Sequence, residues 1–177
     1  MKDYQKVLLY AYPKLGRMAE DIGQIVQAKA RASVMGREPA LSCAEKLIGY
    51  NFLREQLLFV RGELDGVLAK LTREERFLLE YKYFRRKREL AAYADLRLSC
   101  SERTYFRRQQ RLARTVNAEF VRRGLTEEWF FEAFSGVSFF MSALESVRRA
   151  EGGMVDKRTR AGIPCGGRPR GDQSGCS

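Results

Sequence analysis

The side chains in this sequence that could do chemistry are guanidinium groups. Between 101 and 116 it reads S-E-R-T-Y-F-R-R-Q-Q-R-L-A-R-T-V, and Arg103, Thr104, Arg107, Arg108, Arg111 and Arg114 recur at intervals of three and four. On a helix that spacing gathers them on one side, while Tyr105, Leu112, Ala113, Val116 and Phe120 fall on the other. An arginine front with an apolar back suits the major groove of DNA. The groove admits one helix, and a guanidinium can bind the O6 and N7 edge of guanine with two hydrogen bonds. On a DNA-binding reading, base contacts are expected for Arg103, Thr104, Arg107, Arg108 and Arg111. Phosphate contacts are predicted for Arg114, for Ser101 (whose hydroxyl can also cap the helix start) and for the run Arg85, Arg86, Lys87, Arg88. The competing reading is the solvated face of a bundle helix.

Other chemistry is poorly provided for. Histidine is absent, no glycine-rich phosphate loop occurs, and no serine or cysteine has an evident activating partner. The acidic pairs Glu74-Glu75 and Glu127-Glu128 stand at expected helix starts, where the helix dipole accounts for them. No enzyme and no catalytic residue are expected. The four cysteines, Cys43, Cys100, Cys165 and Cys176, are scattered without a C-x-x-C pair, so no metal and no cofactor are expected. Met1 to Lys6 is followed by only a short apolar run, Val7 to Tyr12, so no export signal is expected. The most apolar stretch, 129–144, is too short to span a bilayer and carries Glu132. A cytoplasmic protein with reduced thiols and no membrane partner is the expectation.

Charge is concentrated. Residues 72–123 hold 15 basic and 7 acidic side chains, net +8 of the chain's +11. A polyanion is the natural partner of such a segment, because Lys and Arg displace counterions from phosphates.

The segment also has the order of a helix-turn-helix. Thr72 with Glu75 makes a capping box, and Phe77, Leu78, Tyr81 and Phe84 would carry the apolar face of the helix it opens. A short apolar segment, 90–98, and a break at Ser99 and Cys100 then lead into the arginine helix. L-T-x-E-E-R-x-L-L-x-x-K-Y-F over 71–84, followed by S-E-R-T-Y-F-R-R-x-x-R-L over 101–112, resembles region four of bacterial sigma factors. It resembles still more the phage late transcription regulators of the ArpU/RinA type. The resemblance covers 71–116. It implies that the helix starting at Ser101 enters the major groove of double-stranded DNA, with Tyr105 and Leu112 in the core and Arg103, Thr104, Arg107, Arg108 and Arg111 facing the bases. It also implies transcription regulation as the function.

The remaining elements must hold that helix. Residues 1–12 suggest a short helical turn, with Pro13 opening a longer helix that carries Leu15, Met18, Ile22 and Ile25. Gly36 and Pro39 suggest a turn, and Ser42 with Glu45 a second capping box. Tyr50, Leu53, Leu57, Val60, Leu64, Val67 and Leu71 then alternate by three and four, as in a coiled-coil seam. The seam fits either an antiparallel hairpin with the first helix or a homodimer. Gly124 suits a helix C-terminus and Thr126 the next start. Trp129, Phe130, Phe131, Phe134, Phe139, Phe140, Met141 and Leu144, broken at Ser135 and Gly136, either complete the core or form a patch for self-association or RNA polymerase. Glycines with Pro164 and Pro169 mark a loose tail.

The expected fold is all-α: a helical hairpin (1–70), a helix-turn-helix domain (71–123), an aromatic C-terminal helical segment (124–150) and a disordered basic tail (151–177). The alternatives to DNA binding are a helical protein-interaction module, for example one that binds RNA polymerase, and RNA binding, which also uses arginine-rich helices.

Overall fold

The computed structural model describes residues 1–34, 40–84 and 102–160, and among them every element is helical. Two long helices, α1 (Asp3–Val34) and α2 (Ala40–Lys70), lie side by side. The Tyr12 hydroxyl donates to Asp65, Gly16 lies against Arg61, Gly23 against Arg54, and the Lys29 carbonyl accepts from the Cys43 thiol at 3.8 Å. As position rises along α1 it falls along α2, so the pair is antiparallel.

The break expected before Pro13 is absent; α1 runs through it. Proline removes one helical hydrogen bond and crowds the preceding turn, at about 3 kcal/mol. Against that, Val7, Leu8 and Leu9 before it and Leu15 after it are fully buried in one core. At roughly 1.5–3 kcal/mol for each large apolar side chain, packing on both sides outweighs the proline. The capping box at Ser42 is absent too, because α2 already begins at Ala40. Ala40 and Leu41 are strong helix formers and carry the helix back past the serine.

The core sits at one end of the pair. Tyr4 to Ala19 on α1 share one core with Leu57, Val60, Leu64 and Val67 on α2 and with Leu71 just after it. Farther out Ile22, Tyr50 and Leu53 are half-buried, while Ile25, Leu41, Ile48 and Phe52 are exposed. The outer half of the pair is therefore a two-helix arm.

Helix α3 (Arg73–Leu79) has the expected box: Thr72 Oγ1 accepts from Glu75 N at 3.3 Å, and Glu75 Oε2 accepts from Thr72 N at 3.0 Å. It continues as a π-helical turn, Glu80–Phe84, whose wider i→i+5 winding shifts the register. Leu78 and Leu79 are buried ahead of that turn and Tyr83 and Phe84 within it, while Tyr81, expected inside, is 61% exposed.

Three more helices close the core: α4 (Glu102–Arg122), α5 (Glu127–Phe134) and α6 (Ser138–Arg160). Thr126 caps α5, accepting from Trp129 N at 3.2 Å, and the Glu128 carboxyl is held below its ordinary value by its own backbone N–H and by Thr126. Phe130, Phe134, Phe140 and Leu144 are buried, with Phe134 and Phe140 stacked at 4.2 Å. The aromatic stretch is thus core. Both stretches read as homodimer surfaces, the 50–71 seam and the 129–144 segment, turn most of their apolar side chains inward. Helix α6 also continues through 151–160, which was expected to be disordered. No described helix is long and apolar enough to cross a membrane.

The turn at Gly36 and Pro39, the run Arg85, Arg86, Lys87, Arg88, the segment 90–98, the break at Ser99 and Cys100, the cap Ser101 and the tail 161–177 lie outside the described residues.

Candidate nucleic-acid interface

Helix α4 has the two faces that its spacing predicts. Leu112, Val116 and Phe120 are buried along its back. Arg103, Arg107, Arg111 and Arg114 are exposed along its front, with Thr104 and Arg108 half-buried between. Thr104, Arg107, Arg108, Gln110, Arg111 and Arg114 line one shallow open depression. The structure therefore brings five of the six predicted α4 residues together in that depression, with Arg103 exposed on the same helix outside its lining; the other predicted contacts, Arg85, Arg86, Lys87, Arg88 and Ser101, are among those not described.

The back of α4 is fixed by contacts from several elements. Gln109 Nε2 donates to the Tyr105 hydroxyl at 2.6 Å while its carbonyl accepts from Lys82 at 3.0 Å, which ties α4 to the π-helical turn. Fully buried Gln5 donates to Asn117 Oδ1 at 2.9 Å and to the Tyr4 hydroxyl at 3.3 Å. Tyr4 in turn donates to the Leu125 carbonyl at 2.9 Å. Burial pushes the Tyr4 phenol above its ordinary value of 10.0, because the phenolate would lose its hydration. None of these links is visible in the local sequence.

The end of α4 is locked in two ways. Gly124, at φ 70°, reverses the chain: Leu125 N donates to the Phe120 carbonyl and Gly124 N to the Val121 carbonyl, both at 3.0 Å. Such a turn needs a residue without a Cβ penalty at positive φ. Arg123 then lies across Gly66 of α2 and donates to Glu63 at 2.8 Å.

These anchors also sort the charge. Arg122 and Arg123 are paired with Glu119 and Glu63. The hydrogen bond from Arg122 holds the Glu119 carboxyl below its ordinary value. Arg108 pairs with Glu74 of α3 at 3.2 Å. Among the described residues no ion pair engages Arg103, Arg107, Arg111 or Arg114. Among the described residues, positive charge without an ion-pair partner is thereby left along the first four turns of α4.

Guanidinium groups on an exposed helix face can bind phosphate or the edge of guanine, and cannot act as acids or bases near neutral pH. Among the described residues no three His, Cys, Asp or Glu side chains converge as metal ligands. No protein family, curated protein or solved structure matches the chain.

Proposed function

We propose that this chain is a DNA-binding transcription regulator of the helix-turn-helix type, with no catalytic activity, that reads the major groove with α4. In this reading α3 and α4 are the outer helices of the unit and 85–101 connects them. The observation that carries it is the exposed face of α4: Arg103, Arg107 and Arg111, without ion pairs among the described residues, project to solvent from a helix whose back is locked in the core. A recognition helix needs that combination. A rigid back lets a guanidinium meet a base edge without first ordering the scaffold, and each such bidentate contact discriminates by about 1–3 kcal/mol.

The half-buried Arg108 has a different part. Its pairing with Glu74 braces α3 against α4, which leaves Arg103, Arg107 and Arg111 as the principal readers and Arg114 at a phosphate. The resemblance of 71–116 to sigma region four supports the same assignment.

The test is a gel-shift series with duplex DNA, single-stranded DNA and RNA of matched length at moderate salt. Duplex DNA should shift at the lowest protein concentration. Absence of a duplex shift, or tighter binding of RNA or single strands, would overturn the proposal.

A further inference from the structure

The arm formed by the outer halves of α1 and α2 exposes more apolar surface than an isolated helix pair should. On α2, Leu41 is 75% exposed, Ile48 70%, Phe52 53% and Phe59 46%. Their intervals are seven, four and seven. At 100° per residue all four lie within a 40° arc, a single stripe about 27 Å long. The stripe lies on a different face from the Leu57, Val60, Leu64 seam, which is buried against α1. Phe59 rests on the Trp129 ring, centroids 5.8 Å apart, so the stripe runs up to the main core.

The order of the stripe identifies its partner. Seven, four, seven reads the same from either end. A two-fold antiparallel pairing of α2 with a second α2 therefore sets Leu41 against the partner's Phe59 and Ile48 against the partner's Phe52, with every apolar side chain matched. A large aromatic meets a smaller aliphatic at each level, which fills the space evenly. Glu45 and Glu55 fall on opposite edges of the stripe, so the charges that border it need not collide. An unrelated partner would have no reason to require this internal symmetry.

The size is sufficient. Four side chains exposed to this degree present on the order of 400 Å² of apolar surface per copy, the scale at which a patch marks an interaction site. Two copies with their flanking residues approach the roughly 1,000 Å² of a specific interface.

We infer that this face of α2 is a homodimer interface, an antiparallel helix pair centred near residue 50 and formed by Leu41, Ile48, Phe52 and Phe59 of each copy. It is independent of the arginine face of α4, so either can fail without the other.

Sedimentation equilibrium of the full chain at tens of micromolar should give twice the 20.4 kDa chain mass. Ile48→Glu alone and Phe52→Lys alone should each raise the dimer dissociation constant roughly 100-fold or more, because each buries an unpaired charge. An equimolar mixture of the two should dimerise again, since antiparallel pairing places the new glutamate against the partner's new lysine. Leu58→Glu, on an exposed apolar residue off the stripe, should leave the dimer intact. Far-ultraviolet circular dichroism spectra like that of wild type would show that each variant is folded, as expected for positions exposed on the single chain. A monomeric wild type, a dimer indifferent to both stripe variants, or a mixture that stays monomeric would each overturn the inference.

Discussion

Gly66→Ala tests the anchoring of α4 on α2. In a helix interior the change normally stabilises by about 1 kcal/mol, because alanine has less backbone freedom to lose. At Gly66 an added Cβ would fall inside the Arg123 guanidinium. That group would have to leave, which breaks its 2.8 Å pair with Glu63. The Arg123 and Glu63 side chains are only 18% and 28% exposed, so the charge-assisted bond is worth about 2 kcal/mol after allowance for partial solvation. Gly66→Ala should therefore destabilise by about 1 kcal/mol net and lower Tm by about 2–4 °C in a chain of this size. In an Arg123→Ala background the clash is gone and the same change should stabilise by about 1 kcal/mol, a coupling of about 2 kcal/mol. Gly62→Ala, with open space at its Cβ, should stabilise by about 1 kcal/mol in both backgrounds. Urea and thermal unfolding followed by circular dichroism would measure all of these. If Gly66→Ala stabilises wild type as much as Gly62→Ala does, Arg123 does not lie across Gly66 and the account of how α4 is held is wrong.

Three further outcomes are expected. Tyr4→Phe removes the donor to Leu125 and the acceptor for Gln5, at about 1–3 kcal/mol. The folded state keeps the Tyr4 proton to a higher pH than the unfolded chain, so wild-type stability should fall as pH rises past about 10, and the wild-type advantage over Tyr4→Phe should shrink there in paired melts. Thr72→Ala deletes the α3 cap and should cost about 1 kcal/mol by urea unfolding, with Thr72→Asp costing less. Glu74→Gln releases Arg108 from a partly exposed pair. Stability should change by less than about 1 kcal/mol, while affinity for random duplex should rise and its dependence on salt steepen by up to about one unit in the log–log slope.

What the sequence disclosed was local. Thr72, Thr126 and Gly124 mark helix ends through side chains or φ values that act within a few residues, and all three sit where their chemistry requires. The arginine face was legible because a period near 3.6 survives any packing. Where neighbours decide, local reading fell short. Pro13 argues for a break, yet buried side chains on both sides hold the helix together. Tyr81 fits an α-helical apolar face, but a π-helical turn moves Tyr83 into its place. A seven-residue repeat predicted the α2 seam without showing that its outer end, at Tyr50 and Leu53, would be only half covered. The partition of the arginines, Arg108 to Glu74 and Arg123 to Glu63, depends on contacts across 34 and 60 positions. No pattern within one helix could reveal it.

The central claim is that the solvent face of α4 binds duplex DNA. It is tested most directly by fluorescence anisotropy of a labelled duplex across a salt series, comparing wild type with a combined Arg103→Ala, Arg107→Ala, Arg111→Ala variant. All three side chains are exposed and without ion pairs among the described residues, so melting should be unchanged within about 0.5 kcal/mol. Affinity should fall by at least roughly 100-fold, and the log–log salt slope should shrink by up to about three units to the extent that the three arginines neutralise phosphates. A variant that melts like wild type and binds duplex DNA with unchanged affinity and salt slope would contradict the account.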